Sequence, residues 1–353
     1  MIGENDIYTA AKLFQPARLT LARELRGHAK SELADKIDKS ASAIGQFESG
    51  RARPDAQTVR ELSLALGLPL TFFTRPLRTA PVPVEQCHFR SLRSASQKER
   101  RRLIAQGTIL NELVSLLEER VELPREQVSA VARTCISVDD IESLAVEVRT
   151  RWGLGLGPIP NVMQLLEANG LLVLPIHAGS ADVDAFSFWL GGRPCIFLVE
   201  HKDSSSRVRF DAGHELGHLV LHPDVVPGDP EMERQANRFA SAFLLPKDSF
   251  LPECPTRLVW EHFLELKRRW KVSLAALFRR AYDLERITEA SYRRAFMMLN
   301  RTGQRQHEAC EPPIEKPAMI ANAIGLISGE LSFESIADQL GLSAADLAEA
   351  IRQ

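Results

Sequence analysis

The 353-residue sequence is poor in cysteine: Cys87, Cys135, Cys195, Cys254 and Cys310 are scattered, and no two stand at Cys-x-x-Cys spacing. An odd, dispersed set argues against a disulfide framework and fits reduced, buried thiols. Long apolar runs are missing too: no stretch reaches the roughly 20 residues that a membrane helix needs. The opening Met1-Ile2-Gly3-Glu4-Asn5-Asp6 is polar and lacks the pattern of a signal peptide. The expectation is a soluble, cytoplasmic protein with no membrane partner. Net charge is also small, −2 with histidine neutral, yet it is unevenly spread. Residues 1–110 hold 18 Lys/Arg against 11 Asp/Glu, whereas residues 111–353 hold 26 against 35. A basic head on an acidic body suits nucleic-acid contact by the first part and not by the second.

What is present is most informative at Phe210-Asp211-Ala212-Gly213-His214-Glu215-Leu216-Gly217-His218-Leu219-Val220-Leu221-His222. Helical spacing puts His214 and His218 one turn apart on one face, where both imidazoles can close on a single metal ion. Glu215 then sits beside that metal, and a carboxylate there can take a proton from water, as a zinc peptidase requires. Leu216, Leu219 and Val220 supply the buried side of the helix, and Pro223 ends it. Two histidines on an ordinary core helix is the bland alternative. His222 continues the i+4 series, but the third position leads away from a metal held by the first two, so it is read as a helix-end residue against the negative pole.

Catalytic zinc takes three protein ligands and leaves a position for water. The third ligand is expected from Glu231-Met232-Glu233-Arg234-Gln235-Ala236-Asn237-Arg238-Phe239-Ala240. Glu233 is preferred. Glu231 is its competitor, although just after Pro230 it is placed to offset a helix macrodipole. Asn237, four residues beyond Glu233, is positioned to orient a ligand through its amide. Two apolar runs around Gly191-Gly192, from Ala185 to Leu198, read as a β-hairpin.

The two blocks, with Leu244-Leu245-Pro246 after them, resemble the ImmA/IrrE family of zinc metallopeptidases. In that family the second block usually carries Glu where this chain has Gln235, which leaves the ligand role to Glu233. The resemblance extends to 185–198, which the family places as a hairpin before the active-site helix. An edge strand there would receive a peptide as an added strand. For the oxyanion, Arg209 and His177 are the candidates.

Arg18 to Phe73 reads as a compact helical unit with Leu21, Leu25, Leu33, Ile37, Ile44, Phe47, Val59, Leu62 and Leu66 in one core. Ser40 is a good N-cap, and Gly50 and Gly67 suit helix C-termini. The order of these elements resembles the lambda-repressor/XRE helix-turn-helix. Ala29, Lys30 and Asp38 depart from that pattern, and Asp38 stands where a left-handed glycine is usual, a region Asp tolerates. The resemblance implies that the helix from about Ala41 to Glu48 enters the major groove of an operator, with Ser42 and Gln46 at base edges. Lys30, Lys39, Arg51 and Arg53 are the expected phosphate contacts, and half-site logic implies a homodimer.

The expected fold class is mainly α with a small α+β domain. Residues 12–75 form a five-helix DNA-binding domain, 76–97 a proline-rich linker, 98–250 a zincin-like metallopeptidase domain with a small sheet, and 251–353 a helical C-terminal region. Two functions compete. One is a DNA-binding regulator whose zinc endopeptidase cleaves a partner repressor, or the chain itself, after a stress or mobile-element signal. The other is a non-catalytic transcription factor whose peptidase-like domain senses a metal, ligand or partner.

Overall fold

The structure, a computed structural model, describes residues 4–78, 96–129, 131–134, 137–176, 185–190, 192–199, 204–222, 230–305 and 307–351. Cys87, Cys135, His177, Gly191, Pro223 and most of the linker 76–97 lie outside the described residues.

Five helices open the chain: α1 (Glu4–Leu13), α2 (Pro16–Leu25), α3 (Lys30–Lys36), α4 (Ala41–Glu48) and α5 (Ala56–Leu66), followed by a 3₁₀ turn at Leu70–Thr74. Their ends follow local chemistry. Ser40 accepts the Ala43 N–H at 3.1 Å and Asp55 accepts the Thr58 N–H at 2.7 Å, each satisfying an orphan donor of the first turn. At the start of α3, where Ala29 has no side-chain acceptor, Glu32 reaches back to the Ala29 N–H at 2.6 Å. Asp38 takes φ +51°, the left-handed turn expected of it.

The remaining elements are α6 (Gln97–Glu118), α7 (Val138–Arg151), α8 (Val162–Ala168), β1 (Leu172–Ile176), β2 (Ala185–Leu190), β3 (Arg193–Val199), α9 (Ser205–Leu221) and α10 (Pro230–Leu244). Then follow α11 (Lys247–Glu253), α12 (Trp260–Trp270), α13 (Leu274–Asp283), α14 (Glu289–Arg301), α15 (Met319–Ile327), α16 (Phe333–Leu340) and α17 (Ala344–Ile351). The chain is thus mainly α with a small α+β part. No described helix is long and apolar enough to cross a membrane.

Among the described residues the sheet has order β1-β3-β2, with β1 parallel and β2 antiparallel to the central β3. Period-2 alternation sends its side chains into two different cores. Phe186, Phe188 and Phe197 stack on one face within the core that also holds α6 and the N-terminal helices. Ala185, Ile196 and Leu198 join the second core, with α7 to α14. Burial on both sides explains why these strands read as apolar runs rather than as alternating polar and apolar residues.

Helix α6 joins the two halves. A Cβ on Gly107 would stand 2.9 Å from the Phe197 ring and 3.2 Å from the Phe188 ring, so the glycine permits close approach to the sheet. Further along the same helix, buried Glu112 receives Arg18 of α2 through two hydrogen bonds of 2.7 and 3.0 Å. The segment 251–353, expected as one helical region, divides between the cores. Phe263, Trp270, Leu277 and Phe278 pack in the second, whereas Ile336, Leu340 and Leu347 pack in the first. Gly341 lies against the backbone of Phe72, and Asp346 binds Arg26 at 2.7 Å, so acidic C-terminal helices rest on the basic head.

Candidate metal centre and DNA-reading head

Helices α9 and α10 pack closely because small residues face one another. A Cβ on Gly213 would touch Ala240 at 3.5 Å, and one on Gly217 would stand 3.1 Å from the Cα and carbonyl oxygen of Ala236. This contact brings Glu233 of α10 to the two histidines of α9. The Nε2 atoms of His214 and His218 are 3.1 Å apart, and Glu233 carboxylate oxygens lie 3.3 Å from the first and 3.4 Å from the second. Tetrahedral zinc with bonds near 2.0–2.1 Å requires ligand atoms about 3.3 Å apart, so the spacing suits three ligands of a zinc ion with one position left for water. Within the described residues, this is the one group of three or more His, Cys, Asp or Glu side chains whose ligand atoms converge in this way.

Each imidazole is oriented from behind. His214 Nδ1 is 3.1 Å from Asn237 Oδ1, so an Nδ1–H donates to the amide oxygen and leaves the Nε2 lone pair toward the cluster. For His218 the partner is His222. Its Nδ1 lies 3.2 Å from His218 Nδ1, and its Nε2 lies 2.9 Å from Gln235 Oε1. One tautomer set satisfies the whole chain: His218 Nδ1–H donates to His222 Nδ1, and His222 Nε2–H donates to Gln235. His222 does end α9, as the sequence indicated, but its buried ring also holds that of His218. Periodicity placed it beyond direct reach of the metal and missed this role. The pairing of His222 with Gln235, a polar side chain facing it from the next helix, was the available signal.

Glu215 is buried, and its Oε2 accepts a 2.7 Å hydrogen bond from Ser187 Oγ on β2. Burial pushes its carboxyl up to about 8, with Asp211 adding to the effect and the Ser187 bond opposing it. A cation on the neighbouring ligands would favour the carboxylate form. Glu231, the competing carboxylate, is exposed, bound to Arg234 of its own helix and outside the converging group. Arg209 does not face the site, since it is buried against Glu315 and the Ile159 carbonyl oxygen. A cleft of about 520 Å³ adjoins the centre, with Phe210, Gln235, Asn237 and Ser241 in its walls.

In the basic head, α4 presents Ser42 and Gln46 to solvent, and Lys39 and Arg51 are exposed near its two ends. Lys30 and Arg53 are exposed but engaged. The Lys30 ammonium lies 3.2 Å from Glu48, and Arg53 donates to the Lys12 carbonyl oxygen at 2.9 Å, where it caps α1. Glu48 is in turn bound by buried Arg23.

Residues 166–282 match the family model of the IrrE N-terminal-like domain, and residues 19–73 match that of a helix-turn-helix domain. The chain is a fusion of an XRE-type helix-turn-helix with an ImmA/IrrE-like domain. It is a DNA-binding regulator carrying that second domain. No curated protein gives a significant match to the chain.

Proposed function

We propose that the chain is a transcriptional regulator whose second domain is a zinc-dependent endopeptidase acting on a repressor-like partner or on the chain itself. The observation that carries this reading is the convergence of His214, His218 and Glu233 at zinc-ligand spacing, next in sequence to a buried carboxylic acid, Glu215. These three residues would hold the metal, with Asn237 and His222 fixing the two imidazoles. Bound zinc supplies Lewis acidity toward a carbonyl oxygen and a water molecule. Glu215, in its ionised form, takes the proton of the attacking water and later delivers it to the departing amine. Ser187 keeps that carboxyl aimed by its hydrogen bond. The hairpin of β2 and β3 is the platform for an extended peptide, and the cleft beside Asn237 offers room for one of its side chains. Operator recognition falls to Ser42 and Gln46, with Lys39 and Arg51 on phosphates.

The experiment is elemental analysis of the purified chain beside a His214→Ala/His218→Ala variant. About one zinc per chain, lost in the variant, is the expected result. No zinc after purification without chelators, and none taken up on addition, would leave a regulator with a metal-free sensing domain as the better reading.

A further inference from the structure

The first turns of α6 break a local rule. Gln97-Lys98-Glu99-Arg100-Arg101-Arg102 places four cations against one carboxylate at a helix N-terminus. The macrodipole favours anions and disfavours cations at that end. Cations in that first turn work against the helix, and the fold shows where Lys98 and Arg102 stand. The Lys98 ammonium lies 2.9 Å from Glu32, in the first turn of α3. The α2–α3 turn runs under this stretch, since a Cβ on Gly27 would lie 3.7 Å from Arg102 Cδ and 3.8 Å from Lys98 Cε. Both long side chains cross a glycine with φ +63° on their way outward, and both are exposed.

In a helix-turn-helix the first helix of the motif, here α3, crosses the phosphate backbone while the second enters the groove. Lys98, paired with Glu32 in the first turn of α3, therefore flanks the phosphate line, and Arg102 follows one turn along α6, beside Gly27. We propose that Lys98 and Arg102, supported by the charge of Arg100 and Arg101, form a second phosphate-contacting surface that extends the DNA footprint beyond the helix-turn-helix segment. The inference rests on duplex binding by that segment. It makes α6, which lies against the sheet at Gly107, part of the DNA interface.

The test is fluorescence anisotropy of the full chain on a 30-base-pair mixed-sequence duplex, with salt varied from 50 to 200 mM. Each phosphate contact contributes about 0.9 to the slope of log affinity against log salt, so Lys98→Gln/Arg102→Gln should lower the slope by about 1.8. The loss of affinity across that salt range then becomes about tenfold smaller than for the parent chain. Glu32→Gln/Lys98→Gln removes equal and opposite charge, and should still lower the slope by about 0.9. Melting curves by circular dichroism should match the parent for Lys98→Gln/Arg102→Gln, whose side chains are exposed. Parental slopes in both variants, with binding still weakened by Lys39→Gln/Arg51→Gln, would overturn the inference and leave the helix-turn-helix reading intact. A parent chain that binds no duplex at all would overturn both.

Discussion

His218 Nδ1 lies 3.2 Å from His222 Nδ1, and His222 Nε2 lies 2.9 Å from Gln235 Oε1. The ring whose Nε2 faces Glu233 is thus fixed through a second, buried ring by a neutral amide on α10. This arrangement leaves the His218 Nε2 lone pair toward the cluster, as a metal ligand requires.

His222→Ala should therefore weaken zinc binding by about 10- to 100-fold, the usual effect of losing the partner that orients a ligand. Competition with a chromogenic chelator measures this directly. Gln235→Ala should weaken binding less, because the His222 ring stays beside His218 Nδ1. Unchanged affinity in His222→Ala would show that packing alone orients His218.

Glu215→Gln should keep zinc at about one per chain while lowering peptide cleavage by about 100-fold or more, the range expected for loss of a general base. The amide is close to isosteric, and its oxygen can still accept from Ser187 Oγ, which lies 2.7 Å from the carboxylate. Metal content and cleavage are read on the same preparation. Cleavage at the parental rate would remove Glu215 from the chemistry.

Much of this site was legible because its chemistry is local. His214 and His218 are one helical turn apart, and Glu233 and Asn237 repeat that spacing on the next helix. Ser187 was not legible as a partner of Glu215, since only the antiparallel register that pairs Ser187 with Ile196 turns its hydroxyl toward α9. The fate of 319–351 was hidden for a similar reason. Helical periodicity shows that α16 and α17 have an apolar side, but not whether that side meets the head or the body. The contacts of Gly341 with Phe72 and of Asp346 with Arg26 join residues some 270 and 320 positions apart, and no local pattern encodes such a choice.

Gly217→Ala tests the close approach of α9 and α10. The new methyl would lie 3.1 Å from the Ala236 Cα and carbonyl oxygen and 3.2 Å from Phe239 Cδ1, closer than backbone can yield without a shift of the helices. Overpacking of this kind costs about 1–3 kcal/mol. The better helix propensity of alanine offsets at most about 1 kcal/mol of that. Denaturant melts should show the net loss, and zinc affinity should fall with it because Glu233 moves away with α10. The same substitution at Gly213, where the nearest contact is 3.5 Å, should be neutral or mildly stabilising.

The cap of α5 predicts a pH dependence. Asp55 accepts the Thr58 N–H, and that hydrogen bond holds its carboxyl below the usual carboxylate value. A folded pKa below the unfolded one contributes stability that is present above the unfolded value, near pH 4, and is lost as pH falls through the folded value. Asp55→Ala should cost about 1 kcal/mol at neutral pH. The difference between parent and variant should shrink toward zero as the solution is acidified below that window. A constant difference across the titration would show that the side chain acts by shape rather than by charge.

Arg18 and Glu112 hold the head to α6 from within the core, both side chains almost fully buried. Burial pulls the Arg18 guanidinium down from its ordinary value while Glu112 pulls it back up, the balance expected of a charge kept in place by its partner. Removing one member strands the other, so Arg18→Met or Glu112→Leu alone should cost about 3–5 kcal/mol. The double variant should recover part of that, because replacing a buried pair by apolar groups of similar volume is often neutral or stabilising. Arg18 also donates to the carbonyl oxygens of Arg75 and Pro76 at 3.0 Å, and these would lose their partner in either variant that lacks it. Glu112 likewise accepts the Arg78 N–H at 2.7 Å, so recovery should stop short of the parental stability by up to about 1–3 kcal/mol for each part-buried group left without a partner. A double-mutant cycle in urea measures all four chains, and simple additivity of the two single losses would show that Arg18 and Glu112 stabilise the chain independently.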